Sequence, residues 1–506
     1  MQTEPIVSET HKKLQTSGAV YGLLVIMIIY SAFFIAYSLQ KHAAFQTAGF
    51  DLGNWDQIMW SMLHGRPFWI TQYANTTNTL GGHVEFILLL LFPLYGLHPG
   101  PETLLVFQPL LVALGALPVY WLAEERLRSQ VAGLIFAAVY LLYPALQSAV
   151  AFDFHGLTVA VPFLTYALWA MYTRRYRLFA VMAILAMTCK EDIPLLVLMM
   201  GLYILLMQRN PRVGLATVGV SAAWFVIANF VIVPAYSVSA DSIHIHRYSE
   251  LGDNMSQVIL TLVTNPWRAI QIATAGDKRF YWIRFTMPVA FTALLDPLTL
   301  VLAAPLLFIN TLGHHPPAYQ LDLYHSSGPL AVYVTFASIN GLARLIKFAG
   351  PKFKHASPGF LRGALLTMVL LVTLAYQVQF GHTPIGRFFR WPAVTEHHTK
   401  AKKMLAHIPP QAVVAAQNNL VPHLSQRQWI FILPNLSLRD KQPDYIALDM
   451  RDGLDPPYHF VEEYCAHINE FLASPDYGLI FADDGLLLFQ RDAFDTAAFD
   501  QMSPCQ

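Results

Sequence analysis

Long apolar segments alternate with short polar turns along the first three quarters of the chain. The first segment, residues 19–39, is about 20 residues long, which is the length that an α-helix needs to cross the hydrocarbon core of a bilayer. The pattern therefore predicts a mainly α polytopic membrane protein with about 11 transmembrane helices. The predicted helices are residues 19–39, 102–122, 131–149, 157–172, 178–190, 193–207, 214–236, 282–296, 298–312, 328–346 and 361–379.

Other apolar stretches do not fit a simple crossing. Residues 85–97 form an apolar run of only 13 residues. That is too short to span a bilayer, so this run is predicted to be a juxtamembrane or re-entrant helix. Residues 258–273 have the pattern of a helix that lies on the membrane surface. The spans at 282–296 and 298–312 are short and meet at Asp296-Pro297.

Residues 51–65 form an amphipathic stretch just after the first span. Its apolar positions recur at helical spacing: Trp55, Ile58, Met59, Met62 and Leu63. Asp51 stands where a helix N-cap belongs, and Gly65 stands where a helix would stop. The pattern predicts a helix lying along the membrane surface, with Asp51 and Asp56 at the water boundary. A purely structural capping role for Asp51 is the alternative.

The charged turns predict the orientation of the chain. Lys12 and Lys13 precede the first span, which places the N-terminus in the cytoplasm. Turns rich in arginine alternate with acidic or histidine-bearing turns, and placing the arginine-rich turns inside satisfies the positive-inside rule. Residues 40–101 then form an external loop and the C-terminus lies outside. The basic segments are residues 124–128, 173–177, 208–212 and 344–362.

From about residue 380 the pattern changes to short strand-like runs between helical ones. The chain therefore divides into a transmembrane domain, 1–379, and a small extracytoplasmic α/β domain, 380–506. Asp483-Asp484-Gly485 separates the last two strands and predicts a hairpin. The predicted strands are residues 413–416, 429–432, 445–448, 478–481 and 486–490, with helices at 395–407 and 460–472.

Composition supports the membrane class and excludes some functions. The chain is 55% hydrophobic and 13% charged, against about 25% charged residues in a soluble domain. Its net charge is zero, so no nucleic-acid partner is expected. The first apolar run lacks a small-residue cleavage site and is predicted to be retained as a helix. Cys465 and Cys505 would pair only if this end faces an oxidising compartment.

With this orientation, many ionisable residues fall on the external face. Such residues at helix ends need a partner or a water-filled cavity, so we expect a shared extracytoplasmic cavity. Separate helix-end residues in water are the alternative. The residues are Asp51, Asp56, His83, Glu85, Asp153, His155, Lys190, Glu191, Asp192, His314, His315, Asp322, Tyr324 and His325.

Two short motifs within this set have open interpretations. Lys190-Glu191-Asp192 follows an unbroken apolar run, and it predicts either an internal ion pair or a lysine directed at a phosphate. His83-Val84-Glu85, together with His155, His314 or His325, has donor atoms suited to a divalent cation. The spacing is not diagnostic of a metal, so no metal ligands are assigned, and a divalent cation stays the one candidate cofactor.

Several motifs resemble a known family. The chain resembles prokaryotic polytopic membrane proteins catalogued as domain of unknown function 2079, and those proteins in turn resemble the membrane glycosyltransferases of the GT-C class. Asp51 matches the first-loop aspartate of that class, Asp153 falls near its second acidic motif, and Leu52 replaces a frequent second acid. The motifs are residues 50–57, 82–86, 152–155, 190–192, 324–327 and 419–425.

The resemblance implies a GT-C-like enzyme of the plasma membrane that inverts the anomeric centre. Its donor would be a polyprenyl-phosphate-linked sugar, and its acceptor would be a glycan, lipid or protein outside the cytoplasm. Asp51 would be the catalytic base with Asp153 assisting. The expected substrate-binding residues are His83, Glu85, His155, Lys190, Glu191, Asp56 and His325. The alternatives are a flippase or transporter of a lipid-linked substrate, and a non-catalytic assembly or sensor protein of the cell envelope.

Overall fold

The computed structural model describes residues 18–72, 76–237, 245–349, 358–451 and 461–497. Its helices up to residue 206 are α1 Gly18–Ala43, α2 Asn54–Leu63, α3 Leu88–Tyr95, α4 Pro101–Leu114, α5 Ala116–Leu127, α6 Gln130–Leu141, α7 Pro144–Phe152, α8 Gly156–Tyr172, α9 Tyr176–Met187 and α10 Ile193–Leu206. The later helices are α11 Pro211–Ile227, α12 Val233–Tyr236, α13 Met255–Thr264, α14 Pro266–Thr274, α15 Lys278–Thr286, α16 Pro297–Val301, α17 Ala304–Leu312, α18 Leu330–Ala349, α19 Pro358–Phe380, α20 Glu396–Leu405 and α21 Val461–Ala473.

Fewer helices than predicted are long and apolar enough to cross a membrane. Among the described residues there are five, and a sixth if the pair α6 and α7, bent by 48°, counts as one span. The multi-pass character is thus confirmed, whereas eleven crossings are not. The five segments are Gly18–Ala43, Pro101–Leu127, Pro211–Tyr236, His325–Phe348 and Gly359–Phe380.

The predicted spans at 282–296 and 298–312 are wrong. Helix α15 ends at Thr286, and Ala290 and Phe291 then adopt left-handed backbone conformations. Two short 3₁₀ turns, Met287–Val289 and Thr292–Leu295, lie on either side of these residues before α16 begins at Pro297. The prolines in this region lack the N–H group that would continue a helix, which explains the interruptions.

The amphipathic stretch forms a helix, but not one exposed on the membrane surface. Eight of the ten residues of α2 are buried, polar ones included. One side packs into the large transmembrane core, and the polar side meets the C-terminal domain, where Gln57 bonds the carbonyl groups of Arg427 and Gln428. The surface position predicted for α2 is therefore wrong, because the C-terminal domain covers its polar face.

The C-terminal domain forms the α/β unit predicted from the sequence. Its five strands lie in the order β2-β1-β3-β5-β4, with β1 parallel to β2 and β3 and the last two strands antiparallel as a hairpin. Helices α20 and α21 also match the prediction. The predicted Cys465–Cys505 pair cannot be described because Cys505 lies outside the described residues. The strands are β1 Val414–Ala416, β2 Ile430–Ile432, β3 Tyr445–Asp449, β4 Tyr477–Asp483 and β5 Leu486–Arg491.

The two domains share a core at their junction. Phe45, in the loop after α1, packs with Leu420, Val421 and Leu424 of the C-terminal domain. The His423 ring stacks on Phe45 and on His42, with centroids 3.8 and 4.1 Å away. Burial of these rings ties the loop that carries Asp51 to the C-terminal domain.

Candidate functional site

Asp51 lies in a tight π-helical turn, Gly49–Gly53, that leads directly into α2. The turn is held by Asn418, whose backbone carbonyl accepts from the N–H of Gly49 at 2.9 Å and whose side-chain oxygen accepts from Phe50 at 3.1 Å. A side chain at residue 49 would meet Val421 at 2.8 Å, so glycine is needed for this close approach. The segment 418–421 therefore determines where Asp51 sits.

Asp51 is not an N-cap, contrary to the prediction. Helical structure begins before it, and its Oδ1 lies 2.9 Å from Nε2 of His155. The His155 ring stacks on His325 with centroids 3.6 Å apart. One donor atom from each of the three residues lies within 4.8 Å of the others. The tertiary structure thus brings together three of the residues selected from the sequence.

His155 is itself held in place by its backbone. Its N–H donates to Oε1 of Gln108 at 2.8 Å, and the Gln108 amide donates to the carbonyl of Asp153 at 2.7 Å. Gln108 is fully enclosed in α4. A buried side-chain amide that is satisfied on both ends fixes the position of the loop between α7 and α8.

Asp153 faces a partner that the sequence analysis did not select. The Lys41 ammonium lies 3.0 Å from its Oδ1 and also donates to the carbonyls of Ala151 and Phe152. The Ala48 N–H donates to Oδ2 at 2.9 Å. Burial raises the pKa of the Asp153 carboxyl although Lys41 opposes this. Asp153 therefore joins the end of α1, the Asp51 loop and α7.

Asp56 lies apart from this group, in the junction between the domains. Its side chain is fully buried and accepts from Tyr95 Oη at 2.5 Å and from Ser425 Oγ at 2.6 Å. A ligand has no access to this carboxylate. We therefore assign Asp56 a structural role in docking α2 onto the C-terminal domain, in place of the predicted substrate contact.

Asp56 makes the stability of the folded protein depend on pH. Burial raises its pKa from the ordinary 3.8 to about 6, although Ser425 and Tyr95 oppose the rise. The folded state thus keeps a proton that the unfolded chain releases. The Asp56 contribution is complete below about pH 4 and falls by roughly 3 kcal/mol as pH rises through 6. Thermal unfolding between pH 4 and 7 should show this slope in the wild type and lose it in Asp56→Asn. Glu463→Gln, on exposed α21, should keep it.

A second charged group surrounds the start of α10. Glu191 accepts from the Val84 N–H at 3.0 Å and pairs with His83 at 2.9 Å, while Lys190 lies 3.4 Å from Asp192. Burial raises the pKa of Glu191, but His83 and Lys190 outweigh it and the net pKa is lowered. Lys190 is only partly buried. The Lys190-Glu191-Asp192 motif thus contains an internal ion pair, as one of its two interpretations predicted.

Glu85 is nearly fully buried, and its Oε2 has no hydrogen-bond partner among the described residues. Burial raises its pKa well above the ordinary value, and the charge of Glu191 adds to this rise. Its Oε1 lies beside Gly156, the residue after His155. Glu85 therefore lies in the wall between the two charged groups. A ligand cannot reach its carboxylate directly, contrary to the prediction that Glu85 binds substrate.

Gly156 has no room for a side chain. A Cβ there would lie 2.6 Å from both the Cys189 carbonyl and Glu85 Oε1. We expect Gly156→Ala to lower the free energy of unfolding by about 1–3 kcal/mol, because a backbone carbonyl cannot move aside. Gly219→Ala in α11, where nothing lies within 4 Å, is the matched control and should be neutral or stabilising. Equal thermal stability of the two variants would contradict this packing.

The Tyr324 ring packs against His325 and Phe152, beside the group that contains Asp51. Burial and the charge of Asp51 raise its pKa to about 12, while Arg247 and Lys190 oppose the rise. Arg247 was missed in the sequence because it follows no apolar span and matches no motif, and Lys41 was missed because it reads as an ordinary helix-end lysine. No sequence signal would have found either residue.

A cavity of about 650 Å³ lies at the junction of the domains. It is lined by residues 44–48 from the Asp51 loop, residues 390–393, Thr395, His398, Asn418 and Asn419. Trp391 is 47% exposed and packs against Phe33 and Tyr37 of α1. Exposed aromatic side chains beside a membrane-spanning helix are typical of the membrane–water interface. The cavity therefore lies next to that interface.

Comparisons with known proteins place the chain by fold and family. The structure of ArnT from Cupriavidus metallidurans in the apo state is 11% identical and covers 93% of this chain and 98% of that chain, with a TM-score of 0.50. The structure of the same protein bound to undecaprenyl phosphate is 14% identical and covers 95% and 98%, with a TM-score of 0.45. No curated protein matches the sequence significantly. The family model described as "Predicted membrane protein (DUF2079)" matches residues 41–488, and the chain therefore belongs to that family.

Proposed function

We propose that this protein is an integral membrane glycosyltransferase with an inverting mechanism and a polyprenyl-phosphate-linked sugar donor. The observation that carries the proposal is the accessibility of Asp51. Its side chain is 21% exposed, whereas that of Asp153 is 2% exposed and Asp56 is fully buried. A general base must touch the group it deprotonates. The fold shared with apo ArnT and the motifs that resemble the GT-C class support the proposal.

Asp51 is the general base in this proposal. The acceptor hydroxyl gives its proton to the Asp51 carboxylate, and its oxygen forms a bond to the anomeric carbon. The bond from that carbon to the phosphate oxygen breaks on the opposite face, so the configuration inverts. The electron pair leaves with the polyprenyl phosphate. His155, 2.9 Å from Oδ1, orients the carboxylate.

The leaving phosphate needs positive charge nearby. Lys190 and Arg247 supply it in this proposal. The carbonyl of Cys189, the residue before Lys190, lies beside Gly156, which follows His155, and the charges of both cations oppose the raised pKa of Tyr324. Asp192 and Glu191 hold the Lys190 ammonium charged: burial lowers its pKa, and these carboxylates more than offset this. His83 orients Glu191 and so supports Lys190 indirectly. Asp153 is a positioning residue because Lys41 and Ala48 occupy its oxygens.

The acceptor enters through the cavity at the domain junction. Its wall combines an aromatic ring, Trp391, with the polar side chains of Arg390 and Asn418. Such a mixture suits the polar headgroup of an amphipathic molecule held at the membrane surface. Ala48 and Asn418 line the cavity and also hold the Asp51 loop, so the cavity borders the loop that carries the base.

The site faces away from the cytoplasm in this proposal. A topology reporter fused after Arg128 is expected to read as cytoplasmic, because the turn at 124–128 is rich in arginine. A reporter fused after Gln506 is expected to read as external. A fusion within the basic segment 344–362 serves as a second internal marker and should agree with Arg128. The reverse result would remove the external donor from consideration.

The experiment that tests the proposal is mass spectrometry of lipid-linked and envelope glycans from cells with and without the protein. We expect a glycosylated product that disappears without the protein, with accumulation of its unconsumed polyprenyl-phosphate sugar. A product whose structure is unchanged but whose location shifts across the membrane would indicate transport and overturn the transferase proposal.

A further inference from the structure

His155 and Asp51 face each other through one ring nitrogen and one carboxylate oxygen. Nδ1 of His155 faces the backbone carbonyl of Asp153 at 3.4 Å, which favours the tautomer with its N–H on that side. In that tautomer the lone pair of Nε2 points at Oδ1 of Asp51, which is 2.9 Å away and also carries only lone pairs. Two acceptors at this distance repel each other unless a proton or a cation lies between them.

His325 adds a third donor that the protein leaves unused. His325 is only 9% exposed, and its Nδ1 has no hydrogen-bond partner among the described residues. Its ring stacks on His155 at 3.6 Å, and the donor atoms of the three residues lie within 4.8 Å of one another. Buried imidazole nitrogens are normally satisfied, so an unpaired one beside a second histidine and a carboxylate points to a missing ligand.

We propose that Asp51, His155 and His325 bind a divalent transition-metal ion of the zinc or manganese type. Two imidazole nitrogens and one carboxylate oxygen suit these ions, whereas magnesium and calcium prefer oxygen donors throughout. Donors on such an ion lie about 3.3 Å apart, so a separation of up to 4.8 Å requires only small side-chain rotations.

The surroundings match those of a metal ligand. The carbonyl of Asp153 faces the second nitrogen of His155, and Gln108 fixes the His155 backbone. Metal-bound histidines commonly have such a carbonyl partner, which sets the ring orientation. His83 does not join the set, since its ring pairs with Glu191. The ligands of this ion are therefore different from the His83-Val84-Glu85 motif, on which the sequence-based suggestion of a metal was built.

The three protein ligands leave coordination positions open. An oxygen of the donor phosphate fits such a position, where the ion would add to the charge of Lys190 and Arg247 as the phosphate leaves. This role of the metal rests on the proposed function, whereas the binding of the ion does not. The two are therefore tested separately.

The binding test uses the full chain in lipid nanodiscs, purified without a polyhistidine tag and treated with EDTA. Titration with Co²⁺ should give one ion per chain and the visible absorption bands of cobalt bound to nitrogen, and Zn²⁺ should displace it. His325→Ala is expected to weaken Co²⁺ binding at least 100-fold. His315→Ala, whose ring lies near Tyr324 and outside the donor set, is the matched control and should bind as the wild type does.

Three outcomes decide the proposal. Wild-type protein that takes up no Co²⁺ at millimolar concentration would overturn it and leave Asp51 and His155 as a hydrogen-bonded pair. Equal binding by the wild type and His325→Ala would also overturn it, and His155→Asn provides the same comparison if His325→Ala does not fold. Sugar transfer that persists in EDTA would remove the catalytic role of the ion and leave the transferase function standing.

Discussion

Asp51→Asn is expected to reduce sugar transfer about 1,000-fold while the protein folds and inserts normally. Asparagine keeps the size of the side chain but cannot accept a proton from an acceptor hydroxyl, and general-base catalysis typically contributes about 10²–10⁴-fold. The Asp51 turn is held by backbone contacts to Asn418, so the exchange leaves its position unchanged. The measurement is the rate of product formation in membranes, by mass spectrometry, at equal protein levels.

Asp56→Asn is the matched control for this prediction. It makes the same chemical change five positions further along, in a carboxyl that a ligand cannot reach. We expect it to keep transfer activity within a few-fold of the wild type, with an altered dependence of stability on pH. Full activity in Asp51→Asn, or an equal loss in both variants, would remove Asp51 as the base.

Lys41→Met is expected to destabilise the protein by about 3–5 kcal/mol. Methionine fills the space of the lysine stem but removes the ammonium that neutralises Asp153, whose side chain is 2% exposed. The cost comes mainly from leaving a buried carboxylate unpaired. The three backbone and side-chain oxygens that Lys41 contacts would also lose a donor. Thermal unfolding in detergent should show a large drop in the transition temperature.

The double variant Lys41→Met with Asp153→Asn identifies the cause of the destabilisation expected in Lys41→Met. Removing the carboxylate charge as well should recover part of the lost stability, because the neutral amide is cheaper to bury unpaired. Asp153→Asn alone should cost less than Lys41→Met. A double variant no more stable than Lys41→Met would show that the lysine acts through its backbone contacts and not through Asp153.

The burial pattern explains which predictions from the sequence are confirmed. The long apolar runs are recovered as helices because the length and hydropathy of a membrane span are properties of about 20 consecutive residues, which the sequence displays directly. The C-terminal strands are recovered because short apolar runs between turn residues are also local features. The break at Asp296-Pro297 extends further than predicted, to Ala290 and Phe291, since prolines and left-handed turns act on their neighbours.

The roles of individual acids depend on partners that are distant in the sequence. Asp51 and Asp56 lie in one amphipathic stretch and look alike there. Ser425 and Tyr95 enclose Asp56, while His155 leaves Asp51 partly exposed. In the sequence Asp153 resembles a catalytic acid, but in the structure Lys41, 112 positions away, pairs with it. Side-chain accessibility is set by packing between elements, which no local pattern encodes.

The sequence by itself determined that this is a multi-pass membrane protein with an α/β domain after residue 380, and it selected the residues that carry charge near the predicted helix ends. Only the tertiary structure decided that Asp51, His155 and His325 meet while Asp56 and Glu85 are sealed off. The physical reason is that hydrophobic segments and turns are local properties of the chain. The meeting of Asp51, His155 and His325 depends on helices that pack across more than 250 residues of separation, with Asn418 holding the loop of the first residue in place.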